Sequence, residues 1–121
     1  MQTPMQITER FEGPILILSV AGRLDNTSSD LFREKALHHI REGTRSVIVD
    51  FAQTSYIASM GIRALFIPTK ELVSLNGRIV LAGLNKDLRN LLLTAGLLDL
   101  FEVFEDAAAA LTAPGWKGAA L

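Results

Sequence analysis

The sequence has no cysteine, no apolar run of membrane-helix length and almost no excess of charge. The absence of cysteine excludes disulfides, thiolate catalysis and cysteine-ligated metals, and it suits a reducing compartment. A membrane helix needs about 20 apolar residues, and the N-terminal MQTPMQITER lacks a signal-type apolar stretch. A net charge of −1 argues against a polyanion held by bulk electrostatics. We therefore expect a cytoplasmic domain with no direct membrane insertion and no nucleic-acid partner.

Catalytic and cofactor-binding patterns are also missing. The segment Ala58-Ser59-Met60-Gly61 lacks the glycine that stands two residues before a nucleophile-elbow serine. His38 and His39 are adjacent, so on a helix they point in different directions and cannot chelate a metal as an i, i+4 pair does. The chain also has neither a Walker loop nor a paired-glycine dinucleotide loop. We expect no catalytic residue, no metal and no cofactor.

The 121 residues that are present are enough for one domain with its own core. Short apolar runs bounded by turn residues predict strands, and apolar residues at helical spacing predict helices. The predicted strands are Met5–Phe11, Ile15–Ala21, Ser46–Asp50, Arg78–Ala82 and Leu100–Phe104. The predicted helices have N-cap candidates at Thr27 or Ser28, at Asn85 and at Asp106, and the central helix begins next to Ser59.

The order of these elements, β-β-α-β-α-β-α-β-α, predicts a single α/β domain with a mostly parallel sheet. The turn at Gly13-Pro14 makes the first two strands an antiparallel hairpin, so the first strand lies at an edge. We place the domain at residues 1–113 and expect a flexible C-terminal tail over residues 114–121.

Three polar segments follow strands: Asp25 to Thr27, Asp50 to Ser59, and Gly83 to Asn85. Since the carboxyl ends of the strands form the usual functional edge of such a sheet, we expect these segments to gather there. Ser59, where a loop leads into a helix, has two open interpretations. It is either a plain N-cap, which the residue types favour, or a modification site whose phosphate the helix N-terminus would stabilise.

The helix from Met60 to about Leu75 has an unusually broad apolar surface. Contact with both the sheet and neighbouring helices is the favoured explanation, and contact of one edge with another protein is the alternative. The surface permits a homodimer without requiring one. The apolar side chains concerned are Ile62, Leu65, Phe66, Leu72 and Val73.

Three ordered sets of residues carry a family resemblance. The first is Val20-Ala21-Gly22-Arg23-Leu24-Asp25 with Thr27 and Ser28; the second is Val47-Ile48-Val49-Asp50-Phe51 with Tyr56-Ile57-Ala58-Ser59-Met60-Gly61-Ile62-Arg63. The third is Gly77-Arg78-Ile79-Val80-Leu81-Ala82-Gly83-Leu84, followed by Leu92-Leu93-Thr94-Ala95-Gly96-Leu97 and Phe101. Together they resemble the STAS domain family, specifically the bacterial anti-sigma factor antagonists, from about Ile15 to Leu111.

This resemblance implies a four- to five-stranded sheet packed by about four helices, and no enzyme activity. Members of the family act by partner switching. An anti-sigma factor that is also a serine kinase phosphorylates a serine, a PP2C-type serine phosphatase removes the phosphate, and only the unmodified form binds the anti-sigma factor. By motif position the serine is Ser59. The residues expected to contact the partner are Asp25, Asn26, Thr27, Ala58, Ser59, Met60, Gly61, Ile62 and Arg63.

Two other functions compete with this one. The chain would be a structural STAS subunit of a signalling or lipid-transport assembly if its partner were constitutive, and Ser59 would then be only a cap. A small hydrolase with Ser59 as nucleophile is the least favoured, because neither histidine is placed as a base.

Overall fold

A computed structural model describes residues 5–116. The sheet has the strand order β1-β2-β3-β4-β5, with β1 and β2 antiparallel and the other neighbours parallel. The strands are β1 (Gln6–Glu12), β2 (Ile15–Leu24), β3 (Ser46–Ile57), β4 (Arg78–Ala82) and β5 (Glu102–Phe104). The helices are α1 (Ser29–Arg41), α2 (Ser59–Ser74), α3 (Lys86–Thr94) and α4 (Ala107–Thr112), with a 3-10 turn at Leu98–Leu100. The predicted α/β fold with an antiparallel edge strand is confirmed.

Alternation along the buried strands divides the core between the two faces of the sheet. In β2, Leu16, Leu18 and Val20 join the main core with α1, α2 and α3. Ile15 and Ile17 point to the opposite face, where they join a smaller cluster with Ala110 and Trp116. The long apolar run in β2 is therefore explained by a helical layer on one side and a thinner C-terminal cover on the other.

The middle strands are longer than predicted. β2 continues beyond Ala21 to Leu24, and β3 continues beyond Asp50 to Ile57. The register between β2 and β3 shifts between Ser19 and Ala21 and again between Gly22 and Arg23, and at each shift β3 has one residue more than β2. These irregularities break the simple alternation that marks a strand in sequence, so the segments resembled loops.

This extension corrects the prediction that three polar segments gather at one edge. Asp50 pairs with Ala82 at the end of β4, so Gly83 lies beside Asp50. β3 then runs for seven more residues before α2 begins, which is about 23 Å of extended chain. The Gly83–Asn85 segment therefore lies at a different level from Ser59.

The predicted caps of the last two helices are confirmed. The Asn85 side chain accepts a hydrogen bond from the Leu88 N–H at 2.8 Å. The Asp106 carboxylate accepts one from the Ala109 N–H at 2.7 Å. Each bond satisfies a backbone donor that the first turn of a helix leaves free.

The expected tail begins later than predicted, because the chain packs against the domain as far as Trp116. The Trp116 indole is buried and donates a hydrogen bond to the Ala110 carbonyl at 2.9 Å. The Arg78 guanidinium lies 4.4 Å from the centre of its ring and also donates to the Pro114 carbonyl. The remaining tail residues, Lys117 to Leu121, lie outside the described residues.

Trp116→Ala should remove both a large buried side chain and its hydrogen bond. We expect the free energy of unfolding to fall by about 3 kcal/mol, measured by urea denaturation followed by circular dichroism. Leu100→Ala is the control, because Leu100 is 62% exposed, and it should change stability by less than about 0.5 kcal/mol. Wild-type stability in Trp116→Ala would show that this segment adds nothing to the core.

Gly83 and Gly96 form a matched pair for testing the close approach of Gly83 to β3. Their φ angles are +75° and +74°, but a Cβ on Gly83 would lie 2.8 Å from Asp50 Oδ1, whereas a Cβ on Gly96 meets nothing within 4 Å. Both alanine variants carry the left-handed backbone strain. We expect Gly83→Ala to be less stable than Gly96→Ala by about 1–3 kcal/mol in urea denaturation. Equal losses would contradict the close approach.

Candidate functional site

The extension of β2 and β3 brings two predicted segments together. Leu24 pairs with Ile57 at the end of the two strands, and the Ala58 N–H donates to the Leu24 carbonyl at 2.9 Å. The turn that begins at Asp25 therefore lies beside the start of α2. Six of the predicted partner-contact residues, Ala58 to Arg63, lie in the first turns of α2 or just before it, and the other three are Asp25, Asn26 and Thr27.

Ser59 is the first residue of α2, and the N-cap position belongs to Ala58. The Ala58 backbone is extended, and its carbonyl accepts the first helical hydrogen bond from the Ile62 N–H at 3.0 Å. Of the two interpretations of Ser59, the plain N-cap is therefore wrong. Its side chain is exposed, and its hydroxyl forms no hydrogen bond with any residue in the range 5–116.

The turn after β2 is held by its own side chains. The Asp25 carboxylate accepts hydrogen bonds from the Thr27 hydroxyl at 2.8 Å and the Thr27 N–H at 3.1 Å. These hydrogen bonds from Thr27, with smaller contributions from hydrogen bonds with Ser28, lower the pKa of Asp25. Asp25 is therefore a fixed negative charge at neutral pH.

Ser28 occupies the N-cap position of α1, as predicted, but its hydroxyl does not cap the helix. It donates to the Arg23 carbonyl at 2.8 Å and accepts from the Asp25 N–H at 2.9 Å. The Ser28 hydroxyl is therefore used by the turn after β2, and it does not accept a hydrogen bond from the backbone N–H groups at the start of α1. Both α1 and α2 begin at this edge without a side-chain cap.

Arg23 and Tyr56 belong to this edge but were not predicted as site residues. They are paired across β2 and β3, and the Arg23 guanidinium lies 4.5 Å from the centre of the Tyr56 ring. Arg23 Nε is also 3.7 Å from Asp25 Oδ2. Sequence reasoning missed the pair because it depends on strand extensions that resembled loops.

Gly61 has a structural reason to be glycine. A Cβ at this position would lie 2.4 Å from the Leu24 carbonyl oxygen and 2.9 Å from the Leu24 side chain. The first turn of α2 therefore rests directly on the end of β2. Any larger residue would push Ser59 away from the Asp25 turn.

A cleft of about 220 Å³ lies between the first turns of α1 and α2. Ser29 lines the cleft, is buried, and is the one residue within 5–116 with a buried side-chain polar atom that has no hydrogen-bond partner. Arg33 forms an ion pair with Asp30 at 3.2 Å. The complete lining is Ser29, Asp30, Arg33, Met60, Arg63, Ala64 and Ile67. The helical periodicity of α1 identifies apolar positions only, so the polar residues Ser29 and Arg33 were not predicted.

The broad apolar surface of α2 is mostly used inside the domain, as the favoured interpretation held. Leu65 and Leu72 are buried, and the Phe66 ring lies 5.8 Å from that of Phe101. Val73 is the exception, at 64% exposed. Near the Ser59 end, Met60 and Ile67 are also exposed, at 42% and 37%, and these two side chains face the cleft.

The histidines belong to a different part of the molecule. His39 hydrogen-bonds to Glu9 in β1, and its ring meets Phe11 edge-on at 5.6 Å. Neither His38 nor His39 contacts Ser59 within the described part of the chain. Residues 5–116 contain no group of three or more carboxylate or histidine side chains able to hold a metal ion. None of the helices in this range combines the length and apolar composition needed to span a membrane.

Comparison with known proteins finds relatives in sequence and in fold. BtrV of Bordetella bronchiseptica, a candidate anti-sigma factor antagonist, is 26% identical over 110 residues, which is 90% of this chain and 94% of BtrV. An anti-sigma factor antagonist structure from Mycobacterium paratuberculosis superposes with a TM-score of 0.82 at 16% identity, covering 93% of this chain and 97% of its own. The phosphorylated Bacillus cell fate determinant SpoIIAA superposes with a TM-score of 0.71 at 20% identity, covering 89% of this chain and 96% of its own.

The two structures share the fold with this chain, and the family itself is shown by sequence. The family model for the STAS domain matches residues 5–110. That range contains all five strands and the whole edge formed by the Asp25 turn and the start of α2. The chain therefore belongs to the STAS domain family.

Proposed function

We propose that this protein is an anti-sigma factor antagonist that switches partners through phosphorylation of Ser59. The unmodified form binds an anti-sigma factor that is also a serine kinase. Phosphorylation of Ser59 by that kinase releases the complex, and a PP2C-type serine phosphatase restores the binding form. The protein works as a cytoplasmic binding module with no catalytic residue of its own.

The observation that carries this proposal is the state of the Ser59 hydroxyl. A serine that only stabilises a helix normally sits at the N-cap, where its oxygen accepts a backbone N–H. Ser59 lies one residue further on, exposed and without a hydrogen bond in the described part of the chain. A kinase can reach such a hydroxyl without first breaking an interaction of the fold.

The surroundings of Ser59 explain why a phosphate would be tolerated by the folded domain. The first N–H groups of a helix have no acceptor within the helix and carry partial positive charge. Ala58 has no side-chain oxygen to satisfy those of α2. A phosphate on the first helical residue can accept hydrogen bonds from them. Modification should therefore leave the fold intact.

The same surroundings explain why a phosphate would disrupt binding. Met60, next to Ser59, is an exposed apolar side chain suited to contact a partner. A phosphate adds a charge of about −1.5 to −2, which must be desolvated if the partner covers Met60. Desolvation of the phosphate and its repulsion from acidic groups of the partner both oppose a complex that covers Ser59.

Ser59→Asp should weaken binding to an anti-sigma factor kinase that binds the unmodified wild type by at least about tenfold, which corresponds to about 1.4 kcal/mol. Ser59→Ala should bind within about threefold of wild type. Isothermal titration calorimetry with the purified kinase measures both.

Ser74→Asp is the matched control for added charge. Ser74 is exposed on the same helix, about 22 Å from Ser59, and its variant should bind as wild type does. Normal binding by Ser59→Asp would instead favour the alternative function, a structural STAS subunit with a constitutive partner.

A further inference from the structure

Arg63 differs from the other two arginines near Ser59 in having no partner. Arg23 is paired with Asp25 at 3.7 Å and stacked on Tyr56. Arg33 is paired with Asp30 at 3.2 Å. Arg63 is exposed and forms no ion pair or hydrogen bond within residues 5–116. Of these three cations, Arg63 is the one available to a new anion.

The position of Arg63 relative to Ser59 suits that anion. The two residues are four apart on α2, so their side chains leave neighbouring points on the same helical surface. An acidic group that precedes a basic group by four residues is the favoured orientation for such a pair. A phosphate offers three acceptor oxygens, and the planar guanidinium can donate two parallel hydrogen bonds to them.

Arg63 also lines the cleft between α1 and α2. There it faces a polar group on the opposite wall, formed by the Arg33–Asp30 pair and the buried, unpartnered Ser29 hydroxyl. Since Arg33 is already neutralised by Asp30, Arg63 supplies the uncompensated positive charge of the cleft. A change in its position would alter the charge that the cleft presents to a partner.

We propose that Arg63 transmits the effect of Ser59 phosphorylation to the cleft. The phosphate forms an i, i+4 ion pair with the Arg63 guanidinium, and this ion pair moves the guanidinium away from the cleft. A carboxylate of the partner that uses Arg63 in the unmodified form then loses its counter-charge. This inference rests on the proposed phosphorylation of Ser59.

The test uses the full chain with phosphoserine placed at position 59 by genetic code expansion, so it does not require a kinase. Three versions are compared: otherwise wild type, Arg63→Gln, and Lys70→Gln as control. Lys70 is an exposed cation two turns further along α2. Phosphorus-31 NMR titration measures the second pKa of the phosphate. Asp25, Arg23 and the helix N-terminus affect this pKa equally in all three phosphoproteins, so a difference between them reports the substituted residue.

We expect the phosphate of Arg63→Gln to bind its proton two- to threefold more tightly than that of the wild type, and Lys70→Gln to match the wild type. Unmodified Arg63→Gln should keep the wild-type melting temperature, since the side chain is exposed. The same proton affinity in all three phosphoproteins would overturn the ion pair.

Methyl NMR tests whether the effect reaches the cleft. Ile67 lines the cleft eight residues after Ser59, about 12 Å along the helix axis. Comparing modified with unmodified protein, its δ1 methyl signal should shift in wild type and Lys70→Gln but not in Arg63→Gln. The Ile62 methyl, three residues from Ser59, should shift in all three and so report the phosphate. An Ile67 shift that is unchanged by Arg63→Gln would overturn the coupling.

These readouts are independent of the proposed function. Failure of any kinase to modify Ser59 would contradict the proposed switch but leave the ion pair measurable. Loss of the Arg63 effect in the phosphoprotein would contradict only this inference.

Discussion

The pairing of Leu24 with Ile57, beyond the end of the regular sheet, is the constraint on which the candidate site depends. It delivers Ala58 to the Leu24 carbonyl and starts α2 one residue before the sequence predicts. Gly61 then allows the helix to rest on β2 with no side chain between them. The Asp25 turn and the Ser59 hydroxyl are consequently held by backbone contacts with a buried core. A charge added at Ser59 therefore acts on a surface whose backbone is fixed by the pairing of β2 with β3 and by the packing of α2 on β2.

Much of the fold could be predicted from the sequence, because the signals were local. Continuous apolar runs identified the middle strands, and glycines, Asn85 and Asp106 marked helix ends by the same rules that the structure follows. The strand extensions could not be predicted, because β3 has an extra residue at each of its two register shifts with β2, and these residues interrupt its period of two. Trp116 was assigned to a flexible tail because its neighbours, Gly115 and Pro114, are turn residues, whereas its burial depends on a sheet face formed by distant strands.

The candidate site, like the fold, has some features with a local sequence signal and others that depend on distant residues. Asp25, Thr27 and the segment from Ala58 to Arg63 were identified from motif position, and the structure brings them together. The interpretation of Ser59 as a cap was wrong, because the N-cap is the residue whose backbone carbonyl accepts the first helical hydrogen bond, and that residue is Ala58. Four residues of the site were not predicted, because their place in it depends on residues of another helix or strand. They are Arg23, Tyr56, Ser29 and Arg33. The STAS resemblance is confirmed by the family match over residues 5–110.

The proposed switch requires Ser59 to be a phosphorylation site and not a structural serine. Intact mass spectrometry measures this after incubation of wild type and Ser59→Ala with ATP and extract from the source cells. We expect one added phosphate on the wild type and none on the variant. An unmodified wild type, in an extract that phosphorylates a control substrate, or the same added phosphate on both proteins, would contradict it.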